Sequence, residues 1–334
     1  MVVDATRWGC AARYASLAAL ALISLLTAVR PAAADGGSVP QFIAPSFAWL
    51  APGLPGSAET WRTTAADAIA PTLCRADRAL AGWLALVSVA PSGIDGCRTL
   101  RPLRHVTLPI GRQAGVFVAA RGGPALRLDA AIFHRALAGG ADGGARTWRG
   151  VDGRLPDVAV AILLPDADTP SWRLLSAAVL QEGCLSRPSI RRIFDAAERK
   201  ARCETVRADG AVDRRRDHAD VAQWLAARGS GAVAFVSYPE FLALGEAVVP
   251  LPFADVLPTV AEIARDRYPV SRTLHLAVGL ADPADPGLLR QVLRIAGEET
   301  IGPTGTLAGL GIVPLPAAAR VELRETLLSL GGAI

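Results

Sequence analysis

Two hydroxyl-bearing side chains follow a predicted buried strand, at a place where they could bind an anion. The apolar run Val158–Leu164 predicts the strand, and Thr169 and Ser171 come next, before a predicted helix over Ser171–Gln181. Ligands of open α/β folds bind beyond the carboxyl ends of such strands, and the first amides of a helix attract anions. Serine and threonine are also good helix caps in the absence of any ligand. The loop is therefore either an anion site or a capped helix start.

Patterns for catalysis or metal binding are weak. The four histidines (His105, His134, His218 and His275) are scattered, and no two have metal-ligand spacing on one helix. No Gly-x-Ser-x-Gly sequence marks a hydrolase nucleophile. The glycines from Gly302 to Gly311 follow a predicted helix and include Pro303, unlike a dinucleotide-binding loop. We therefore expect no enzyme, no catalytic residues, no metal and no cofactor.

Four cysteines follow the first 34 residues: Cys74, Cys97, Cys184 and Cys203. An even number in an exported chain favours disulfides, and pairing neighbours in sequence gives Cys74–Cys97 and Cys184–Cys203. Each bridge would close a loop of about 20 residues and add about 3 kcal/mol in the chain-entropy model. The alternative is a metal site, although the chain has no Cys-x-x-Cys and no paired histidines.

Residues 1–34 have the pattern of an export signal. Arg7 and Arg13 provide a positively charged region before an apolar stretch from Ala15 to Val29. The small residues up to Ala34 then suit cleavage before Asp35. The stretch has about 15 residues, fewer than the ~20 that a membrane-spanning helix needs. The pattern predicts a soluble periplasmic protein with no direct membrane anchor.

The charge balance argues against a nucleic-acid partner. The chain has 35 Lys and Arg against 31 Asp and Glu, a formal net charge of +4, whereas nucleic-acid binding needs a concentrated basic stripe. The run Arg214–Arg216 is flanked by Asp213 and Asp217 and is typical of a solvated loop. A chain of 334 residues can bury a large core and is expected to form two domains.

Short apolar runs alternate with helical patterns along the chain. The predicted strands are His105–Ile110, Gly115–Ala120, Val158–Leu164, Gly231–Ser237 and Thr273–Val278. The predicted helices are Glu59–Ile69, Asp129–Ala138, Ser171–Gln181, Pro188–Ala201, Ala219–Ala227, Pro258–Arg265, Pro286–Ala296 and Pro316–Leu328. Gly139–Gly144 and Asp209–Asp217 are predicted to be surface loops. This alternation predicts an α/β fold with largely parallel sheets.

Residues 146–184 resemble the anion-binding segment of periplasmic phosphate-binding proteins. The segment contains Arg146-Thr147-Trp148, Leu155-Pro156-Asp157-Val158 and Glu182-Gly183-Cys184 in the order of that family. The resemblance extends from about Pro71 to the C-terminus, through Leu108–Gly111 with Gly115–Val118, Gly231–Phe235, Tyr268–Arg272 and Gly311–Pro316. The four cysteines also lie where a disulfide-bearing bacterial branch of the family has its own.

The resemblance implies an α/β fold of the type II periplasmic binding protein class, with two α/β lobes, two crossover segments and a ligand cleft between the lobes. One lobe would hold residues 35–120 plus 251–334, and the other residues 121–250. The implied function is a monomeric periplasmic solute-binding protein of an ABC importer, with phosphate or another small anion or organic acid as ligand and an ABC permease as partner. The alternative is a receptor-derived sensory or partner-binding module that has lost phosphate binding.

The ligand loops differ from the family pattern. Where the family has Ser-Gly-Thr-Arg, this chain has Thr169-Pro170-Ser171-Trp172. The first loop, Ala44–Phe47, lacks the family's glycine, the Gly-rich stretch is replaced by Thr63–Asp67, and Val89 stands in place of an arginine. By this resemblance the candidate ligand residues are the hydroxyl-bearing Ser46, Thr64, Ser88, Thr169 and Ser171, with Arg112 or Arg173 to pair with a carboxylate.

Trp172 stands where the disulfide-bearing branch carries arginine. An indole facing the cleft would remove a positive charge and add a flat apolar face, which favours a planar aromatic carboxylate over phosphate. The alternative is that the indole packs between its helix and a neighbouring strand.

Overall fold

The computed structural model describes residues 39–55, 60–75, 80, 82–97, 104–138, 144–215, 220–281 and 284–330. The predicted export signal, residues 1–34, lies outside the described residues, as does the predicted loop Gly139–Gly144 except for Gly144. None of the described helices is both long enough and apolar enough to cross a membrane.

The described strands form a mixed sheet, and the predicted α/β fold is confirmed. The prediction of largely parallel sheets was wrong, because the central strands pair antiparallel. In chain order they are β1 (Gln41–Ile43), β2 (Trp61–Thr63), β3 (Gly82–Val87), β4 (Arg104–Ala120), β5 (Ala161–Pro165), β6 (Val212–Arg215), β7 (Ala232–Ser237), β8 (Val248–Pro250) and β9 (Ser271–Leu280). Their order across the sheet is β2-β1-β3-β9-β4-β7-β5-β6, with β8 also paired to β4. Parallel pairs lie towards both ends of this order, while β9 and β4 at its centre pair antiparallel to each other and to their neighbours.

The long strand β4 joins two predicted strands into one. It pairs with β9 from Arg104 to Ala114 and with β7 from Gly115 to Val118, with a register irregularity between Pro109 and Gly111. A strand that exchanges partners in this way can pass from one part of the sheet to the next without a turn. Pro109 has no N–H to donate to a neighbouring strand, and a bulge is one of the positions at which a sheet tolerates proline.

Along the described chain, helices occur between the strands and after β9. They are α1 (Ala66–Cys74), α2 (Ala130–Leu137), α3 (Trp148–Val151), α4 (Pro170–Leu175), α5 (Gln181–Leu185), α6 (Pro188–Arg191), α7 (Ala196–Glu204), α8 (Val221–Arg228), α9 (Tyr238–Leu244), α10 (Val260–Ala264), α11 (Pro286–Ile295), α12 (Glu298–Ile301), α13 (Thr306–Gly309) and α14 (Ala317–Leu330). A π-helical turn, Ser176–Leu180, joins α4 to α5, and 3₁₀ turns occur at Ala48–Gly53, Ile94–Gly96 and Gly245–Ala247.

Three sequence-based assignments were wrong in part. The predicted helix Glu59–Ile69 begins only at Ala66, because Trp61–Thr63 pairs with β1 and the Trp61 side chain is buried. The predicted loop Asp209–Asp217 contains β6, an edge strand whose charged side chains are typical of sheet edges. The predicted helix Pro188–Ala201 is divided into α6 and α7.

Buried apolar side chains form two clusters. The central cluster contains residues between Ala114 and Val270 together with Val313, and at its centre Phe117 packs against the rings of Phe133, Phe235 and Phe253 with centroids 4.6, 5.0 and 5.1 Å away. The terminal cluster contains residues from Phe42 to Ile110 and from Leu274 to Leu327. Strand β4 contributes to both clusters and connects them, while β9 contributes to the terminal cluster and begins directly after Val270, a residue of the central cluster.

Two glycines in the family-like motifs are required by close packing. A Cβ on Gly183 in α5 would lie 1.9 Å from the carbonyl oxygen of Ala130 in α2. A Cβ on Gly231, just before β7, would lie 1.9 Å from the carbonyl oxygen of Ala159. These motifs therefore maintain the packing of the central cluster, whatever the protein binds.

The predicted cysteine pairing is confirmed. Cys74 and Cys97 have Cα atoms 5.1 Å apart, and Cys184 and Cys203 have Cα atoms 5.4 Å apart, both as disulfides. We expect peptides from the non-reduced protein to show the linkages 74–97 and 184–203 by mass spectrometry, and reduction to separate them. Free thiols at all four positions in protein prepared under oxidising conditions would contradict this pairing.

Candidate functional site

The candidate site lies at the carboxyl ends of two neighbouring parallel strands. Because β5 and β7 pair in parallel, both end at the same edge, and α4 and α9 begin there. Each helix start is capped locally: the Thr169 hydroxyl accepts from Trp172 N at 3.1 Å, and Ser237 with Glu240 forms a reciprocal capping box. This edge of an α/β sheet is where ligands bind in related architectures.

A cavity of about 740 Å³ opens beside these helix starts. Its size is within the ~300–1,000 Å³ of small-molecule sites. The apolar part of its wall consists of Trp49, Ala114, Pro170, Pro239, Ala243, Leu244 and Leu310 with Gly309 and Gly311, and the polar part of Gln113, Ser171, Ser237 and Glu240. The wall therefore combines the helix starts, the central strand β4 and the turn after α13.

Gly311 allows that turn to approach α9. Its φ is 91°, in the left-handed region, and a Cβ would lie 1.8 Å from Pro239 Cγ. Only glycine combines this left-handed backbone conformation with such close contact to Pro239 without displacing the backbone.

An ion pair closes one side of the cavity. Arg215 Nη1 lies 2.6 Å from Glu240 Oε1, and their side chains are 11% and 10% exposed. Since the two charges neutralise each other, this side of the wall adds no net charge.

Two further arginines meet near the other side. Arg173 on α4 donates to the carbonyl oxygens of Pro45 (3.0 Å) and Asp168 (3.1 Å), and Arg272 on β9 donates to the carbonyl oxygen of Arg173 (2.9 Å). Burial lowers the pKa of the Arg272 guanidinium, and the positive charge of Arg173 lowers it further. The loop at Pro45, helix α4 and strand β9 are thereby tied together by hydrogen bonds.

Four of the predicted ligand residues lie in or near this region. Ser171 lines the cavity directly. Ser46 accepts from Nε1 of the lining residue Trp49 at 3.1 Å through its carbonyl oxygen, and Arg173 reaches the neighbouring Pro45. Thr169 contributes by capping α4, and its hydroxyl donates to the Asp166 carbonyl oxygen at 2.7 Å.

Other predicted residues do not line the cavity. Thr64 is half-buried and donates its backbone N–H to Ile43, while Ser88 is half-buried just beyond β3. Arg112 is buried, ion-paired to Asp266, and donates to Thr273 Oγ1 at 2.8 Å. Within the described parts of the chain, no three His, Cys, Asp or Glu residues are grouped to hold a metal ion.

The indole of Trp172 packs in the central cluster and is 5% exposed. The guanidinium carbon of Arg214 lies 4.2 Å from its ring centroid, a cation–π arrangement. A planar ligand could stack on that face only after Arg214 had moved.

Several wall residues were missed from the sequence. Ser237 and Glu240 could have been found, because Ser-x-x-Glu after a predicted strand is the signature of a capping box. Gln113 gave no local signal. Its position opposite Arg272 in the β4–β9 register follows from tertiary pairing.

The sequence matches no family model and no curated protein. Solved structures do share the fold. A possible phosphate-binding protein from Planctomyces limnophilus is 14% identical, with a TM-score of 0.63 over 88% of this chain and 99% of that one. PstS from Borrelia burgdorferi (12% identical, TM-score 0.53) and an ABC-type phosphate transport receptor from Vibrio cholerae (15% identical, TM-score 0.52) are each matched over 77% of this chain and 87% of theirs. The mixed α/β fold is therefore that of periplasmic phosphate-binding proteins.

Proposed function

We propose that the protein is the solute-binding component of an ABC importer and binds a small anion or organic acid between two α/β lobes. The observation that carries the proposal is the cavity beside β4, the strand that contributes to both apolar clusters. Its partner β9 begins directly after Val270 of the central cluster and packs in the terminal cluster, so the chain passes between the clusters at two neighbouring strands. Where two strands connect two lobes, the lobes can move about these strands as a hinge and close the cavity around a ligand. The fold shared with phosphate receptors supports the same function.

The proposed lobes are residues 35–120 plus 251–334 and residues 121–250, with one adjustment. Leu251, Phe253 and Tyr268 pack in the central cluster, so we assign the segment up to Val270 to the second lobe. The crossovers are then β4 and β9. This division leaves the terminal cluster as the core of the first lobe.

Export to the periplasm completes the proposal. The two disulfides fit an oxidising compartment, and residues 1–34 are predicted to direct export. The partner would be an ABC permease, and the working form a monomer. The proposal assigns no catalytic role to any residue.

A second candidate is a receptor-derived module that no longer serves a transporter. It is favoured by the engagement of the predicted ligand arginines within the protein: Arg112 pairs with Asp266, and Arg173 binds the carbonyl oxygen of Pro45. Such a protein would use the fold to sense or bind a partner.

Thermal unfolding with a panel of solutes separates the two candidates. We expect phosphate or at least one organic acid to raise the unfolding temperature of the protein without residues 1–34. Ligand at 100 times its Kd adds about 2.7 kcal/mol to the free energy of unfolding. Equilibrium dialysis of the same solutes provides the control for non-specific effects. No shift and no binding with any member of the panel would favour the second candidate.

A further inference from the structure

The side chain of Gln113 offers an unused hydrogen-bonding group at the cavity. It lies on β4 between the two clusters, lines the cavity and is 7% exposed. Its Oε1 atom is buried and has no hydrogen-bond partner among the described residues. A buried polar atom left unsatisfied is unfavourable, so a ligand that bonds this amide would be stabilised. By rotating, the amide can present either its oxygen or its NH₂ group.

Arg272 is directly opposite Gln113 on β9. Side chains of directly opposed residues in an antiparallel pair project from the same face, with Cβ atoms about 4.5–5.5 Å apart. The side chain of Arg272 therefore emerges beside the amide that lines the cavity. Its guanidinium has five N–H donors. The hydrogen bond to the Arg173 carbonyl oxygen uses one donor, on Nη2.

Among the described residues, Arg272 has no carboxylate partner, unlike three buried arginines. Arg112, Arg207 and Arg320 are each ion-paired to a carboxylate, on Asp266, Asp209 and Glu298 respectively. Arg272 is half-buried, and no carboxylate among the described residues pairs with it. Burial and the nearby Arg173 lower its pKa, which means that the cationic form is unfavourably placed. An anion bound here would offset that cost.

Apart from Ser171, Ser237 and Glu240, the rest of the wall is apolar. Pro170 and Pro239 occupy the first turns of α4 and α9 and have no N–H. The amides of Trp172 and Glu240 are occupied by the capping hydroxyls of Thr169 and Ser237. Trp49, Leu244 and Leu310 supply apolar surface. Because the Glu240 carboxylate is paired with Arg215, that side of the wall has no net positive charge to attract a second negative charge.

We propose that the cavity binds an organic monocarboxylate with an apolar body, its carboxylate held by Arg272 and Gln113 and its body against Trp49 and Leu310. This proposal rests on the proposed solute-binding function and narrows its ligand class. A guanidinium matches a carboxylate bidentately, while the apolar wall suits a hydrocarbon chain or ring. Phosphate would leave most of the 740 Å³ cavity, and all of its apolar wall, without contact.

Calorimetric titration of the protein lacking residues 1–34 tests the ligand class. The probes are octanoate, benzoate and 3-phenylpropionate, with 3-phenylpropionamide as the uncharged analogue and inorganic phosphate as the compact anion. We expect at least one carboxylate to bind, the amide to bind at least tenfold more weakly than 3-phenylpropionate, and phosphate not to compete.

Variants then assign the carboxylate contact. Arg272→Gln and Gln113→Leu should each weaken binding of the carboxylate by about tenfold or more, since a charge-assisted hydrogen bond is lost. Arg272→Lys keeps the charge and should retain part of the affinity. The matched control is Arg290→Gln, at an exposed arginine on α11 outside the cavity wall, which should bind normally. Circular dichroism confirms that each variant is folded.

The outcomes separate this inference from the general function. Phosphate binding without carboxylate binding would overturn the inference and leave the solute-binding function standing. Carboxylate binding that is unchanged in Arg272→Gln, Arg272→Lys and Gln113→Leu would overturn the site assignment. Binding of no probe at all by folded protein would count against both.

Discussion

Replacing Glu240 with alanine should lower the free energy of unfolding by about 3–5 kcal/mol, because it removes one partner of the buried ion pair with Arg215. The pair is 2.6 Å apart, and both side chains are about nine-tenths buried. The same substitution removes the side-chain half of the capping box at α9. Urea unfolding followed by circular dichroism measures the change.

Glu246→Ala is the matched control for that prediction. Glu246 pairs with Arg121 at 3.6 Å, but the two side chains are 96% and 59% exposed, and exposed ion pairs contribute about 0–1 kcal/mol. The double variant Arg215→Met with Glu240→Leu should recover much of the loss, since apolar residues of similar volume can replace a buried pair. A loss below about 1 kcal/mol for Glu240→Ala would mean that water replaces the carboxylate.

Replacing Trp148 with alanine should be about equally damaging, with a loss of about 3–5 kcal/mol. Its side chain is fully buried in the central cluster, and its Nε1 donates to the carbonyl oxygen of Gly231 at 2.7 Å. Trp148→Phe separates the two contributions: it keeps most of the packing but leaves that carbonyl oxygen unsatisfied, at about 1–3 kcal/mol.

Phe194→Ala provides the aromatic control, because the Phe194 side chain is 98% exposed. We expect it to change the free energy of unfolding by less than about 0.5 kcal/mol. Equal losses for Trp148→Ala and Phe194→Ala would contradict the packing described for the central cluster.

The strands of the sheet were predictable where burial determines composition. The run Gly231–Ser237 is apolar because β7 is covered on both faces. The predicted strand is one residue longer than β7, at its start. By contrast, β2 is a strand because of its pairing with β1, an interaction between segments that local propensity does not report. The same holds for β6, whose charged sequence is typical of a loop.

The candidate site was predictable only in its location. The loop before α4 was identified because the end of a parallel strand is a favoured ligand position, and Ser171 does line the cavity. Arginine side chains were harder to assign, because their role depends on a partner elsewhere in the chain. Arg112 has one in Asp266, whereas the partner of Arg272 among the described residues, one strand across, is a carbonyl oxygen. No property of the two local sequences distinguishes them.

The composition of the two clusters has a consequence for the order of folding. Apart from Val313, the central cluster is built from one continuous stretch of chain. The terminal cluster needs β9 between β3 and β4, and β9 is synthesised long after both. Because contacts between distant segments form slowly, the central cluster can become structured while the edges of β3 and β4 that pair with β9 are still open. During that interval, these two strand edges are exposed to pairing with another molecule.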